Sequence, residues 1–376
     1  MDQFEILKKT EPDFEKFIRP AKLHLKSFLD LKSHFRGIAG EHFIGKWIEI
    51  FKITGSPIII NLDHNVSESV STIEDLTSKS EEVVNDLETI VRATAGHVSA
   101  FKMNEQSMLT FLIAGKIKFV HEAKKLYRDV CEDKFGVGII PLFWTDEKLR
   151  DIPSTTYQTA SIIFNLGFDA IHCMPQLGPD ISGSLQLAAE KYGNLGVIHV
   201  INMTHDGYQY AKEEYYKPDT INKLRKQSLG DLEYNIDIGN KMKQKIKIRA
   251  TGTIEPANRP YEIFEGLEEV YGNKIFILSI GIGPQGALPG CALYAGATCE
   301  GIGRFIFRGK NGLDSFQNIQ KKAQISKRCG LLALKAKFNL KPYPLSDIMK
   351  ELSEFNPLIK DETIYDLDKV YKARLA

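Results

Sequence analysis

The sequence has few features that favour secretion, membrane insertion or nucleic-acid binding. Its five cysteines form no C-x-x-C pair, which favours reduced and mostly buried thiols. No run approaches the roughly 20 apolar residues of a membrane-spanning helix, and the start, M-D-Q-F-E-I-L-K-K-T-E, has no apolar core of signal-peptide length. The 49 basic and 48 acidic residues nearly cancel, so any anionic ligand must be held by a local cluster. We therefore expect a cytoplasmic protein with no membrane or nucleic-acid partner.

Several common cofactor motifs are also missing. The sequence has no H-E-x-x-H, no cysteine–histidine cluster with zinc spacing, no G-K-[ST] and no G-x-G-x-x-G. What it has is the composition of a globular protein, with 43% hydrophobic and 26% charged residues. Its 376 residues are enough for one large domain or two ordinary ones.

Apolar runs alternate with helical patterns from residue 56 onward, after an amino-terminal stretch that reads as helical. Eight strand–helix units favour an α/β fold, a (β/α)8 TIM barrel, over a doubly wound open sheet with five or six strands. We predict a helical extension at 1–55, a catalytic barrel at 56–335 and a carboxyl-terminal extension at 336–376. The predicted strands are 57–65, 97–104, 137–146, 168–175, 196–204, 245–251, 274–280 and 298–305.

The stretch from 139 to 155, I-I-P-L-F-W-T-D-E-K-L-R-D-I-P-S-T, joins a buried strand to charged residues. Alternation along a strand places Asp146 and Lys148 on the same side. Asp151 follows on a turn that Pro153 helps to end, because the residue before a proline avoids the helical region. In a parallel barrel these charges would lie at the carboxyl face, where such enzymes do their chemistry.

Other predicted strands also end in polar residues, namely Asp63, Lys102 and Thr204. A helix cap explains an isolated aspartate equally well, and most lysines lie on solvated faces. Polar residues at the ends of several strands favour a shared site. Lys102 in particular ends an otherwise apolar strand, where a buried ammonium needs a counter-charge. The acids at 63, 146 and 151 would supply it.

A glycine-rich segment, S-I-G-I-G-P-Q-G, follows the seventh predicted strand, and G-I-G-R follows the eighth. Backbone N–H groups of such a loop can surround an anion at the start of the next helix, predicted at 285–295. Arg304 can add a two-pronged contact. Loops after strands seven and eight are the usual phosphate site of this fold, although a plain glycine-rich turn is the simpler explanation of the loop alone.

These motifs together resemble the orotidine 5'-phosphate decarboxylase family, particularly its archaeal-type members. D-E-K-L-R-D-I-P-S-T matches the family's D-x-K-x-x-D-I-P-x-T, S-I-G-I-G-P-Q-G matches S-P-G-[IV]-G-x-Q-G, and G-I-G-R-F-I-F matches V-G-R-x-I-Y. The resemblance covers roughly residues 56–335. It implies a homodimeric enzyme that converts orotidine 5'-phosphate to uridine 5'-phosphate and CO2 in pyrimidine biosynthesis, without a metal or other cofactor.

The resemblance also implies roles for individual residues. Lys148 would protonate C6 as CO2 leaves, Asp146 would lie against the substrate carboxylate, and Lys102 would join the ribose to the charge network. Asp151, with Ile152, would reach the neighbouring subunit's site. The remaining expected contacts are Asp63 and the neighbour's Thr155 with the ribose, Thr204 with the pyrimidine, and Gly283, Gln285, Gly303 and Arg304 with the 5'-phosphate.

The chain departs from the family pattern at several positions. Thr204 stands where serine is usual, and Ile280 stands where the strand-seven loop usually has proline. The stretch 208–242 is longer than usual, and we predict a long solvated helix there rather than a modified lid.

Two other functions remain open. Magnesium-dependent 3-hexulose-6-phosphate synthases and 3-keto-gulonate-6-phosphate decarboxylases share the strand-three aspartate and lysine, and Glu105 could supply their extra acidic ligand. A non-catalytic nucleotide-binding protein could use the same scaffold, although loss of Asp146 or Lys148 would have been its signature. The balanced charge disfavours a nucleic-acid binder.

Overall fold

Eight parallel strands form a closed barrel in the computed structural model, which describes residues 4–11, 13–64, 72–203, 218–238, 243–310, 312–355 and 357–376. The barrel strands follow chain order, and β1 pairs with β10 to close the ring. The predicted (β/α)8 fold is therefore confirmed. The strands are β1 (Ile58–Asn61), β2 (Ala100–Asn104), β3 (Leu142–Leu149), β4 (Ala170–Cys173), β5 (Gly196–Val200), β6 (Leu229–Asp237), β7 (Lys243–Arg249), β8 (Gly252–Pro256), β9 (Phe276–Ile280), β10 (Cys299–Ile302), β11 (Arg308–Gly309) and β12 (Gly312–Leu313).

Helices surround the barrel and bury one face against it. The long helix after β1 shows how the sequence dictates this, since its apolar residues recur at helical spacing and Thr72 caps its first turn by accepting from the Asp75 N–H. The α-helices are α1 (Glu5–Thr10), α2 (Phe14–Ser33), α3 (Glu41–Thr54), α4 (Ile73–Thr94), α5 (Glu105–Ile113), α6 (Phe119–Phe135), α7 (Pro153–Asn165), α8 (Pro179–Lys191), α9 (Pro218–Ser228), α10 (Pro260–Gly266), α11 (Cys291–Ala295), α12 (Arg304–Phe307), α13 (Phe316–Phe338), α14 (Leu345–Glu351) and α15 (Asp361–Leu375). Short 3-10 turns cover Pro175–Leu177 and Ser353–Phe355, and a π-turn covers Leu267–Tyr271.

The amino-terminal helices close the barrel at the end opposite to the predicted site. Phe43 and Trp47 of α3 pack on Phe276, at ring-centroid distances of 5.4 and 5.0 Å, and Phe43 also contacts Trp144. All four rings are buried in the continuous core that the barrel and its helices share. The predicted division of the chain at residues 55 and 335 stays a prediction.

The sixth barrel strand was misplaced by the sequence prediction. The stretch 245–251 does not enter the barrel, because β7 pairs antiparallel with β6 in a separate hairpin. The barrel strand is β8, which pairs with β5 and β9. The long helix predicted over 208–242 is also wrong where it can be compared, since α9 ends at Ser228 and β6 begins at Leu229. The hairpin packs its isoleucines on α8, and a side chain at Gly183 of that helix would collide with Ile236.

The carboxyl-terminal segment docks on the barrel beside the loop after β9. The Lys360 N–H donates to the Gly286 carbonyl at 2.9 Å, and the Thr363 hydroxyl lies 3.0 Å from the Asn258 carbonyl and 3.3 Å from that of Gly286. Leu367 and Val370 of α15 are buried in the shared core. This segment therefore forms part of the wall around that loop.

The predicted burial of the cysteines is confirmed. All five cysteines are free and buried. Within the described ranges, no helix is both long and apolar enough to cross a membrane.

Candidate active site

Three side chains converge on the carboxylate of Asp146 at the carboxyl end of the barrel. Lys102 Nζ lies 2.6 Å from Oδ2, and Lys148 Nζ lies 2.7 Å from Oδ1. The Nδ1 atom of His172 lies 2.5 Å from Oδ1. Strands β2, β3 and β4 are consecutive neighbours in the barrel, so side chains from each can meet at this point. Asp146 thus joins two cations and an imidazole in one cluster.

A bulge in β3 brings Asp146 and Lys148 to this position. The strand does not end at Asp146, as the sequence prediction had it, but continues to Leu149. Its register with β4 shifts between Thr145 and Leu149, so that more residues of β3 than of β4 fill the same length. Such a bulge re-aims side chains, and bulges are common beside active sites. Here it lets one carboxylate reach both its own strand's lysine and the histidine of the next strand.

The neighbouring side chains keep Asp146 ionised. Burial alone would raise the pKa of its carboxyl, but Lys102, the hydrogen bond from His172, and Lys148 together lower the pKa well below its usual range. Burial alone would lower the pKa of Lys102, whereas Asp146 and then Asp63 raise it, so the ammonium stays charged. The cluster is therefore a set of fixed, alternating charges.

His172 takes part as a neutral hydrogen-bond donor. Burial lowers its pKa more than the nearby Asp146 carboxylate raises it. An ionised carboxylate only accepts, so the proton of the neutral ring lies on Nδ1 and is donated to Asp146. The opposite ring atom, Nε2, is buried with no hydrogen-bond partner in the described part of the chain. His172 therefore holds Asp146 in place without adding a charge.

The two lysines differ in access to the barrel mouth. The side chain of Lys102 is 3% exposed, whereas that of Lys148 is 34% exposed. Lys148 also lines a cavity of about 260 Å³ together with Asn104, Glu105 and Asp146. Lys102 is consequently a structural charge beneath the cavity, and Lys148 is the cation that a bound molecule can reach.

The end of β1 supplies buried acceptors beside this cluster. Asn61 Oδ1 and Asp63 Oδ1 are both buried, and no described residue donates a hydrogen bond to either atom. Most buried polar atoms in folded proteins have a partner. Two acceptors of this kind near Lys102 fit a ligand that carries hydroxyl groups, such as a sugar.

Asp151, Ile152 and Thr155 lie on the outer surface rather than in this cavity. All three are exposed, and Ile152 is 63% exposed. Asp151 uses its own carboxylate to accept from the Ile152 N–H at 2.6 Å, just before Pro153 starts α7. Among the described residues it forms no ion pair. The structure thus does not bring these residues to the site of their own chain.

The predicted phosphate residues meet on the other side of the mouth. Gly283 and Arg304 line one cavity, with Gly303 just before Arg304 and Gln285 partly exposed in the same loop. The loop is a tight turn closed by the Gly286 N–H donating to the Gly283 carbonyl, and both glycines have positive φ, 92° and 87°. The helix predicted at 285–295 is wrong at its start, since α11 begins at Cys291. Thr204, the expected pyrimidine contact, lies outside the described residues.

Sequence reasoning missed His172 as a member of the site. The only available signal was a histidine inside the apolar run F-D-A-I-H-C-M-P. A lone buried histidine more often satisfies a local hydrogen bond, as His199 does with the Ser228 hydroxyl at 2.8 Å. Only the pairing of β3 with β4 distinguishes the two cases.

Comparison with known proteins assigns the chain to a family. Residues 75–308 match the Orotidine 5'-phosphate decarboxylase / HUMPS family. The chain belongs to this family. Its relatives include the orotidine 5'-phosphate decarboxylase of Thermococcus kodakarensis, which is 29% identical over 223 residues, 59% of this chain and 83% of the relative. The enzyme of the same name from Pyrococcus furiosus is 27% identical over 223 residues, 59% of this chain and 84% of the relative.

A solved structure of the orotidine 5'-phosphate decarboxylase family supports the fold. Orotidine 5'-monophosphate decarboxylase from Methanocaldococcus jannaschii, complexed with inhibitor BMP, superposes with a TM-score of 0.51 and 19% identity. The match covers 72% of this chain and 96% of that one. In the ranges described, no group of three or more His, Cys, Asp and Glu side chains is placed to hold a metal ion.

Proposed function

We propose that the chain decarboxylates orotidine 5'-phosphate to uridine 5'-phosphate and CO2. The observation that carries the proposal is the Asp146 carboxylate held between Lys102 at 2.6 Å and Lys148 at 2.7 Å at the carboxyl end of the barrel. Family membership and the names of the relatives support the same reaction. The expected cytoplasmic location and the absence of a nucleic-acid partner stay predictions.

The charge cluster suits a reaction that leaves a carbanion. Loss of CO2 leaves an electron pair on C6 of the pyrimidine, and a fixed positive charge stabilises it. The Lys148 ammonium can then donate a proton to C6, because it is the exposed cation of the cluster. Asp146, ionised and held rigidly, would lie beside the substrate carboxylate and disfavour the ground state. Lys102 and His172 would keep Asp146 in that position.

The rest of the substrate would extend across the barrel mouth. The buried acceptors of Asn61 and Asp63 would take hydrogen bonds from the ribose hydroxyls. The turn containing Gly283 and Gln285, with Arg304 beside it, would hold the 5'-phosphate. The phosphate is remote from C6, so its binding energy can order the site without taking part in bond breaking.

The first test is turnover by the purified full-length chain, followed as the loss of orotate absorbance in the presence of a chelator. Lys148→Ala should lower kcat by at least about 10²- to 10⁴-fold, the usual effect of removing a proton donor. Lys79→Ala is a matched control, because Lys79 is 29% exposed and also pairs with an aspartate, at 3.0 Å. An inactive wild type, or an undiminished rate in Lys148→Ala, would overturn the assignment. Nucleotide binding without turnover would instead favour the non-catalytic alternative.

A magnesium-dependent sugar-phosphate enzyme is the second candidate. The observation in its favour is that Glu105 and Glu147 line the same cavity as Asp146 and Lys148. Burial and then the nearby Glu105 raise the pKa of Glu147. Turnover of orotidine 5'-phosphate that survives chelation would exclude this candidate as the main activity. Activity on a keto-sugar phosphate that returns with added Mg²⁺ would favour it.

We further propose a homodimer in which Asp151 completes the neighbouring site. A group of exposed apolar side chains follows β2 and β3, and one of them, Ile152, is next to Asp151 in sequence, although single exposed apolar residues are common. Helices α5 and α7, which follow adjacent strands, supply it together with Ile152 just before α7. Its members are between 36% and 63% exposed, and they are Leu109, Leu112, Ile113, Ile152 and Ile162.

Mixing two inactive variants tests the shared site. In a two-fold dimer, Lys148→Ala mixed with Asp151→Ala rebuilds one intact site in each heterodimer, so randomly exchanged subunits should regain roughly a quarter of the wild-type activity. Recovery should depend on subunit exchange, as measured with differently tagged chains. If both residues served the same chain's site, the mixture would stay inactive. A monomer by sedimentation at assay concentration would contradict the shared site.

A further inference from the structure

A cavity of about 430 Å³ lies next to the predicted phosphate turn, and no residue of the Asp146 cluster is among its described lining residues. One side is the turn at Gly283 and Pro284, and a second side is the segment 304–308 with Lys322. The outer wall is Phe355, Pro357 and Leu358 of the carboxyl-terminal segment. That wall lies beyond residues 75–308, which match the family, so the cavity is not explained by the shared barrel alone.

Two arginines give this cavity an excess of positive charge. Arg304 and Arg308 are four residues apart, line the same cavity and are exposed. Neither guanidinium has an ion-pair partner among the described residues. Lys322 is different, because Asp314 neutralises it at 2.7 Å. The cavity thus offers two guanidiniums to an anion.

The cavity is larger than one phosphate group needs. A water molecule occupies about 30 Å³ in the liquid, so about 430 Å³ leaves room for a second phosphoryl group beyond the first. The wall opposite the arginines is apolar, and no described lining residue is acidic. No carboxylate among these residues would therefore repel additional negative charge.

We propose that this cavity is a second anion subsite, which takes the terminal phosphoryl group of a pyrimidine nucleoside 5'-diphosphate. Arg308 binds that group, while Arg304 holds the phosphate next to the ribose. The inference rests on the proposed function, because that function assigns Arg304 to the 5'-phosphate. The expected consequence is that a nucleoside diphosphate competes with the monophosphate substrate and product for the same barrel.

Calorimetric titration of the full-length chain with uridine 5'-monophosphate and uridine 5'-diphosphate tests the subsite without needing turnover. In the wild type, the diphosphate should bind at least as tightly as the monophosphate. Arg308→Gln should weaken the diphosphate by about 10- to 150-fold, the effect of losing a hydrogen bond to a charged group, and leave the monophosphate unchanged. Arg128→Gln is the control, since Arg128 is an exposed arginine of α6 outside this cavity.

Charged substitutions in the apolar wall of the cavity provide a second test, because a positive and a negative side chain there should have opposite effects on diphosphate binding. Leu358 is 56% exposed, so replacing it should not disturb folding. Leu358→Lys should tighten the diphosphate and Leu358→Glu should weaken it, each relative to the monophosphate.

Three results would overturn the inference. Equal weakening of both nucleotides by Arg308→Gln would place Arg308 in a single phosphate site. Diphosphate binding in the wild type at least a hundredfold weaker than monophosphate binding would mean that the cavity is closed to a second group. Failure of both nucleotides to bind would overturn the proposed function and this subsite together, and only that result affects both.

Discussion

Replacing His172 by phenylalanine should remove a hydrogen bond that holds Asp146 in position and leave the charge of Asp146 unchanged. Phenylalanine keeps a ring of similar size in a fully buried position but cannot donate to the Asp146 carboxylate, which now receives a hydrogen bond from Nδ1 at 2.5 Å. Lys102 and Lys148 still contact Asp146 in the variant. The expected defect is therefore a less rigid Asp146 rather than an unpaired one.

The size of the effect follows from the type of hydrogen bond. A bond to a charged group contributes about 1.5–3 kcal/mol, and each 1.4 kcal/mol is about tenfold in rate, so kcat/KM should fall by about 10- to 150-fold. His172→Asn should recover part of this loss, because its side-chain amide can donate to the same carboxylate oxygen.

A matched control is available in the next strand. His199 of β5 is as buried as His172 and also makes a hydrogen bond through Nδ1, but its partner is the Ser228 hydroxyl. His199→Phe should destabilise the fold to a similar degree and leave kcat/KM unchanged. The assay is the decline of orotate absorbance, with the free energy of unfolding of each variant measured in urea.

Two outcomes would refute the role assigned to His172. One is a His172→Phe enzyme with kcat/KM within about twofold of wild type, below the smallest loss expected for such a hydrogen bond. The other is an equal loss of activity in both histidine variants, because that result would mean that general disturbance of the core explains the defect.

Three further predictions concern stability and the phosphate turn. Arg225→Met should lower the free energy of unfolding by about 3–5 kcal/mol in urea, because it leaves the fully buried Glu255 without its cation at 3.0 Å. Burial lowers the pKa of His24 to about 3 from 6.5, so the folded state loses stability as the pH falls through 6.5 toward 3. His24→Phe should abolish about 2 kcal/mol of the stability loss between pH 7 and pH 5, measured by thermal unfolding. Thr363→Val, which removes a hydroxyl that contacts Asn258 and Gly286, should raise KM about fivefold (about 1 kcal/mol) with little change in kcat, measured by steady-state kinetics.

The sequence located most of the barrel because buried parallel strands read as apolar runs. The exception is instructive. K-I-K-I-R alternates apolar and charged residues, as a half-exposed hairpin strand does, whereas the true barrel strand, G-T-I-E-P, contains a buried acid. Glu255 is tolerated there because Arg225, Tyr271 and Asn202 all contact its carboxylate. Partners so distant in sequence cannot be inferred from a local pattern.

The sequence predicted the charged residues of the candidate site but not the histidine that holds Asp146 in place. Asp146 and Lys148 follow directly from strand alternation, and the structure places them in contact at 2.7 Å. The contribution of His172 required the bulge in β3, which sets the register between two strands. The turn at Gly283 also looked like a helix start, because positive φ at glycine serves a tight turn and a helix boundary equally well.

The contact between Gly286 and the carboxyl-terminal segment has a consequence for the order of synthesis. The barrel strands leave the ribosome before Lys360 and Thr363, and Thr363 is 77 positions beyond the glycine that it contacts. A nascent chain can therefore close its barrel before this contact can form. Ligand affinity at the phosphate turn should then reach its final value only after the barrel has closed. In the finished protein, a cut in the stretch that precedes α15 should lower this affinity and leave the barrel closed.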